Sequence, residues 1–560
     1  MRRRALKVSL ALLVAVLFLM GMVSSSVAQS SLTPQKSFAV SQADTYASLV
    51  EKVAKTVWGF AEIGLGEYKS AAFLEGELEK LGYAVDRGIA QFPTAFVGTW
   101  SYGTGGPVIG LLAEYDALPS LSPDVPGAPG HGCGHNLYSA GAIATAAVLK
   151  NVMSTYQLPG TIKVFGTPAE ENFDGKAWMG RQGALKGVDV FFGTHAAGEN
   201  SVPFGSNLAM DFKVYTFYGK SSHAGAAPEK GISALDAQEI MDVAVNFLRE
   251  HLWQEIRIHY IINKGGEAPN VVPSLAQSQW FIRAPERGMV NETTAKVDRC
   301  AEAAALATGC TYHIELVSAL HNKIPNKAGA LLAYENLKLI GVPTFTEKDQ
   351  ADAKSLGFPT GLSTELKPAP DKPSQSYGSS DEGDVSWNAP FINFSMANYA
   401  QGTAGHSVEL AKQANLPAAF KAVVQAVKVM SATAVDLLMK PDELKKIKDE
   451  FAETMKTRNY DPGSQVMLGL KYFPEPPGVT AATPDSVTFV PADMATTGWV
   501  AGTIVNVYNG TEKIGTATVT GNEKELKVKT TKSFKSGDIL TIKYQNKNGP
   551  EILYGYVKKF

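Results

Sequence analysis

Three short apolar runs, each ending in side chains capable of chemistry, limit most strongly how this chain can fold. Pro107 to Ala113 leads into Glu114-Tyr115-Asp116, and Thr161 to Gly166 leads into Thr167-Pro168-Ala169-Glu170-Glu171. Val188 to Gly193 leads into Thr194-His195. Apolar runs this short, bounded by turn residues, read as buried strands. An alanine-rich apolar helix, Leu137 to Met153, and a second helix, Gly175 to Leu185, lie between them. Strands alternating with helices predict a doubly wound α/β sheet, which binds ligands beyond the carboxyl ends of its strands. Asp116, Glu170, Glu171 and His195 all fall at such ends.

Before these runs, helical spacing covers Asp44 to Leu81 (Tyr46, Leu49, Val50, Val53, Val57, then Ala71, Leu74, Leu78, Leu81). After them the pattern changes. Alternating runs at 208–218, 255–262, 278–282 and 311–317 enclose amphipathic helices at 233–252 and 297–307, a β-α-β-β-α-β order of the ferredoxin-like kind. The reading is an α/β domain, 29–205 and 321–457, interrupted by an inserted α+β domain, 206–320. A Pro- and Gly-rich stretch, 458–485, reads as a linker. Residues 486–560, with short strands and turns such as Asn509-Gly510, read as a separate sandwich-like β module without a cluster suited to chemistry.

A formal net charge of −2 gives no reason to expect nucleic acid as a partner. Arg2, Arg3, Arg4 and Lys7 precede an apolar run, Leu10 to Met22, and then Ser26-Val27-Ala28. That is the pattern of a cleavable signal peptide over 1–28, which implies periplasmic or secreted work; an uncleaved anchor is the alternative. Among the three cysteines, Cys300 and Cys310 are either a disulfide or two buried thiols, and Cys133 is left over.

Cys133 belongs to Gly130-His131-Gly132-Cys133-Gly134-His135-Asn136, where residues two apart in extended backbone reach one face. Gly132 and Gly134 let the backbone pass close to an ion. Cys133, His135, Glu171, His195 and His406 form the candidate metal set. Thiolate, imidazole and carboxylate donors suit zinc or manganese. Five donors exceed one four-coordinate site, so two divalent ions sharing a bridge are expected. Of the adjacent Glu170 and Glu171, one can bind metal while the other faces the attacking water.

Leu112 to Pro119, His131 to Asn136, Gly166 to Glu171 and Gly402 to His406 resemble the M20 metallopeptidase/amidohydrolase family. The likeness is to its Cys-using branch, which includes aminobenzoyl-glutamate hydrolases and acylase-like dipeptidases. Ser222-His223-Ala224-Gly225, Pro269-Asn270-Val271-Val272-Pro273 and Gly383 to Trp387 add to the resemblance, which spans about 44–455. It implies an amidohydrolase acting on an N-acyl (such as aminobenzoyl) amino acid or a dipeptide, with the inserted domain serving as lid and homodimer contact. It assigns Glu170 as base and Asp116 as the carboxylate orienting a ligand imidazole. His223, from a partner subunit, would polarise the scissile carbonyl, and Asn270 and Arg283 would grip substrate oxygens.

Two departures stand out. Glu114 takes the place of a histidine two residues before Asp116, and the usual bridging aspartate gives way to the Cys133 region. His131, His251, His259, His313 and His321 read as structural or surface groups. A non-catalytic surface protein working through 486–560, in contact with a cell-surface polymer, is the competing reading.

Overall fold

The computed structural model describes residues 32–369, 371–460, 472–490, 499–520, 525–534, 538–546 and 549–558. The expected signal peptide, 1–28, lies outside the described residues. The central sheet has six strands in the order Ala84–Arg87, Phe96–Tyr102, Gly160–Gly166, Val108–Ala113, Val190–Gly193 and Phe391–Asn393. The last four run parallel, with Val108 opposite Thr161, Ile109 opposite Val190 and Phe391 opposite Phe191. The first two are antiparallel additions at one edge. The sheet is therefore mixed, and its parallel half carries the three runs read from the sequence.

Burial explains the pattern. Side chains alternate across a strand, so Leu111 and Val164 enter one core while Leu112 and Phe165 enter another. On the first face pack helices His135–Tyr156 and Pro417–Met439, with Ala47–Phe60 beside them. Pro417–Met439 is long and apolar enough to cross a membrane, but it is buried as a core helix. On the second face lie the short helices Gly175–Arg181 and Glu382–Asn388, contributing Trp178, Met179 and Val385.

Residues 209–320 form a four-stranded antiparallel sheet in the order Thr311–Leu320, Ala209–Tyr218, Leu275–Ala284, Arg257–Lys264. Helices Ala234–Leu248 and Arg287–Thr308 pack on it, and Ser233 caps the first by accepting from the amide of Asp236. In chain order this is β-α-β-β-α-β. Its core holds Trp280, Phe217, Met241 and Val297. Cys300 and Cys310 are free thiols.

The C-terminal module has a three-stranded sheet, Val479–Thr483, Ser486–Phe489 and Leu526–Lys529, and a four-stranded one built from Ile504–Asn509, Glu512–Thr518, Ile539–Gln545 and Ile552–Lys558. The two share a core around Val487, Trp499, Val528 and Ile542. Val479–Thr483 pairs with Ser486–Phe489, so the module begins inside the stretch read as linker. Flanking prolines and glycines hide a short strand there. Nor does the module stand apart: its Tyr556, with Phe473 from the stretch before it, shares a core with Phe165 and Trp178 of the α/β domain.

Trp280 is fully buried, stacks on Tyr260 at 4.1 Å and donates to Ser278 Oγ at 2.7 Å. Trp280→Ala is expected to cost about 3–5 kcal/mol in the inserted domain. Calorimetry should show an unfolding transition moved down in temperature; an unchanged thermogram contradicts the packing described.

Candidate metal centre

The centre forms where three parallel strands end. Strand Val108–Ala113 delivers Glu114 and Asp116, strand Gly160–Gly166 delivers Glu170 and Glu171, and strand Val190–Gly193 delivers His195. Cys133 and His135 come from the turn that opens helix His135–Tyr156. Gly134 takes φ +81° there, and a Cβ on it would stand 2.7 Å from Ala196 Cβ, which limits the position to glycine. The loop bearing His406 is tied to the cysteine turn by the His406 amide, which donates to Gly132 O at 3.0 Å.

Asp116 organises the donors. Its Oδ1 lies 2.8 Å from His135 Nδ1, and its Oδ2 accepts the Glu171 amide at 2.9 Å. With Nδ1 committed as donor, a neutral His135 would offer its Nε2 lone pair to a metal; Nε2 lies 3.2 Å from Glu114 Oε2 and 3.9 Å from Glu171 Oε1. His195 Nδ1 bonds Ala196 O at 3.0 Å, so its Nε2 points to Cys133 Sγ at 3.4 Å. His406 Nε2 lies 3.5 Å from Glu171 Oε2.

Three overlapping groups result: Cys133, His135 and His195; Cys133, Glu171 and His406; His135, Glu170 and Glu171. Within each, the ligand atoms lie within 4.8 Å of one another. Glu171 Oε1 is buried and makes no hydrogen bond among the described residues, and His135 Nε2 faces only carboxylate oxygens, at 3.2 Å (Glu114) and 3.9 Å (Glu171). A buried polar atom left without a hydrogen bond costs about 1–3 kcal/mol. Soft and borderline donor atoms gathered this closely fit divalent transition ions, and the membership of Cys133, His135 and Glu171 in two groups each fits a pair.

Burial pushes the Glu171 carboxyl up to about 7, with Asp116 and Glu114 adding to the rise against His135. Burial, then the charges of Asp381 and Glu171, hold Glu170 well above the carboxylate range. Burial likewise pushes the Cys133 thiol up to about 12.

The site opens into a cavity of ≈ 680 Å³ between the α/β and inserted domains, lined by Glu170, His195, Asn207, Arg283, Lys323 and His406 among others. Arg283 sits over the Phe281 ring, and its buried Nε has no hydrogen-bond partner among the described residues. His223 and Asn270 lie on the inserted domain and line no wall of this cavity. His223 Nδ1 accepts the amides of Gly225 and Ala226. His131 is buried on Val57 O, and His321 is buried against Asp384. His251, His259 and His313 are exposed.

Several buried charges carry little signal in the sequence. Lys176, fully buried, lies 2.7 Å from Glu114 Oε1 and 2.5 Å from Asp381 Oδ1. Glu114 Oε2 in turn stands 3.2 Å from His135 Nε2. Glu382 holds Tyr138 and Lys323, and Glu67 holds the Ala169 amide at 2.7 Å. Lysine and acidic residues in turn-rich sequence read as solvated surface unless the fold buries them.

Fold and donor set together define a hydrolase of the peptidase and amidohydrolase class. The chain belongs to Peptidase family M20/M25/M40, whose model matches residues 110–475. It is 33% identical over 448 residues to one of the two p-aminobenzoyl-glutamate hydrolase subunits of Escherichia coli, covering 73% of this chain and 93% of that protein. It is 32% identical over 427 residues to the Xaa-Arg dipeptidase of Mus musculus, covering 74% and 91%. Its fold is similar to that of the aminobenzoyl-glutamate utilization protein from Klebsiella pneumoniae (TM-score 0.51, 18% identity, 70% of this chain and 97% of that one).

Asp174 supplies a pH test. Burial and the nearby Asp381 raise its carboxyl to about 7, and it accepts from the Ser318 hydroxyl. An acid whose folded pKa is raised loses stability as pH climbs from its unfolded value to the folded one. Asp174→Asn keeps the acceptor and suits the left-handed backbone at φ +55°. Its stability advantage over the parent should grow by about 2 kcal/mol between pH 5 and pH 7.5 in urea titrations. A constant or shrinking advantage contradicts the burial of that charge.

Proposed function

We propose that the chain is an exported, two-metal amidohydrolase that cleaves the amide bond of an N-acyl amino acid, with aminobenzoyl-glutamate as the first substrate to try. The observation that carries this reading is the set of three overlapping triads drawn from Cys133, His135, Glu170, Glu171, His195 and His406, all but His135 lining one cavity. Cys133, His135, Glu171, His195 and His406 would hold the ions and Asp116 would orient His135. The pair of divalent cations, zinc or manganese, supplies Lewis acidity and lowers the pKa of the attacking water.

Glu170 then acts as the base. Its carboxylate takes the proton of the water as the oxygen attacks the amide carbon, and returns it to the departing amine nitrogen. Arg283, whose buried Nε has no hydrogen-bond partner among the described residues, binds the substrate carboxylate.

His223 and Asn270 stand outside their own chain's cavity, so in this reading they serve the active site of a second subunit. Support comes from the inserted domain's surface. Ile240, Val243 and Phe247 on one helix, Trp253 beyond it and Ile261 and Ile262 on the edge strand are exposed apolar groups. A sheet edge of that kind invites pairing with a second copy. Residues 1–28 act as the export signal. A dipeptidase is the second reading, favoured by the 32% identity to the Xaa-Arg dipeptidase.

Glu170→Gln should retain the parent's metal content while kcat falls by at least ~10²-fold on the best substrate of an N-acyl amino acid and dipeptide panel. Release of free amino acid at the parent's rate by this variant would refute the assignment of the base.

A further inference from the structure

The turn that presents Glu170 and Glu171 is a single helical turn, Glu170–Phe173, bracketed by two left-handed residues that are not glycine, Ala169 at φ +60° and Asp174 at φ +55°. Each such residue costs of order 1 kcal/mol or more and persists only where the surroundings over-determine it. On the inner side they do. The fully buried Glu67 carboxylate accepts the Ala169 amide at 2.7 Å, and its other oxygen accepts from Thr94 at 3.2 Å. Gly64 packs so tightly on Ala169 that a Cβ would stand 2.9 Å from its Cα. Asp116 takes the Glu171 amide.

The outer side is held from the far end of the chain. The Tyr472 ring lies 5.2 Å from Phe173, the last residue of the turn, and its phenol shares a hydrogen bond with Glu315 of the inserted domain. Phe473, 2% exposed, packs on Phe92 at 5.5 Å and on Tyr556 at 5.1 Å. Pro474 lies against Gly66, next to Glu67. The β module continues the contact: Tyr554 meets Tyr68, Leu553 backs onto Gly88, and the Tyr556 hydroxyl donates to Gln91 O at 3.1 Å. Glu67 therefore belongs to a segment, 64–92, that has the active-site turn on one side and the module on the other.

We propose that the C-terminal β module is part of the catalytic unit. The segment before it, Tyr472–Pro474, clamps the Glu170–Phe173 turn, with Tyr472 as a positioning residue for Glu170. The proposal rests on Glu170 being the base. Tyr472 touches no reacting group; it acts by filling the outer face of a turn whose backbone is strained at both ends. A shift of that turn by 1 Å at the reacting atoms is enough to cost up to ~10²-fold in rate.

The test uses the full chain loaded with zinc or manganese. Tyr472→Ala should lower kcat on the best amide substrate by roughly tenfold or more with KM and metal content near the parent's. Tyr472→Phe, which keeps the ring on Phe173, should restore turnover. Amide hydrogen exchange over residues 168–174 reads the clamp without turnover and should quicken in Tyr472→Ala. Tyr472→Val, which takes the ring off Phe173 but leaves a small apolar side chain, replaces the alanine variant if that one does not fold, with the same expected losses. Turnover within twofold of the parent, or unchanged exchange over 168–174, overturns the proposal. Should the parent itself hydrolyse no substrate of the panel, the amidohydrolase reading fails and the exchange measurement alone decides the clamp.

Discussion

One carboxylate holds the candidate centre together. Asp116 spends its two oxygens on two different donors, the imidazole of His135 and the backbone amide that carries Glu171. The two belong to separate elements, a helix start and a strand end, that the sheet brings side by side. Because Asp116 is buried, each bond works in a low dielectric and is stronger than it would be at the surface. Its carboxyl stays below the ordinary range even though burial pushes it up, because His135, then the Glu171 amide and Lys176, favour the charged form. Asp116 thereby ties the orientation of His135 to the turn that bears Glu170 and Glu171.

A shell of buried charge surrounds it. Burial opposes the Lys176 ammonium, yet Asp381, Glu114 and Glu170 together hold its pKa well above the usual lysine value. Glu114 is therefore paired to a cation of the protein while remaining 3.2 Å from His135. Removing one partner from such a buried set is costly because the charge left behind has no water to turn to.

What the sequence reveals and what it conceals divide along a physical line. Buried parallel strands must be apolar throughout, so 107–113, 161–166 and 188–193 are legible, and the polar residues after each mark the rim of the sheet. Cys133 and His135 stand out because glycines isolate them. The edge strand Ala84–Arg87, half exposed, has no apolar run to reveal it. Lys176, Asp381 and Glu382 sit in polar or glycine-containing sequence that resembles a solvated loop, and only the packing of two short helices buries them. His223 and Asn270 lie on the inserted domain, where one chain alone gives them no reaction to serve. The β module reads as self-contained from its turns and alternation, yet its Tyr556, with Phe473 from the stretch before it, shares a core with the α/β domain. A contact between residues so far apart along the chain leaves no local pattern.

The proposed pair of cations held by Cys133, His135, Glu171, His195 and His406 is tested most directly by stoichiometry. Titrating metal-stripped full-length chain with zinc, followed by calorimetry, should show two equivalents bound per chain, falling to one or none when His135 is replaced by alanine. Binding of no zinc and no manganese by the intact chain, or an isotherm unchanged by His135→Ala, would contradict it.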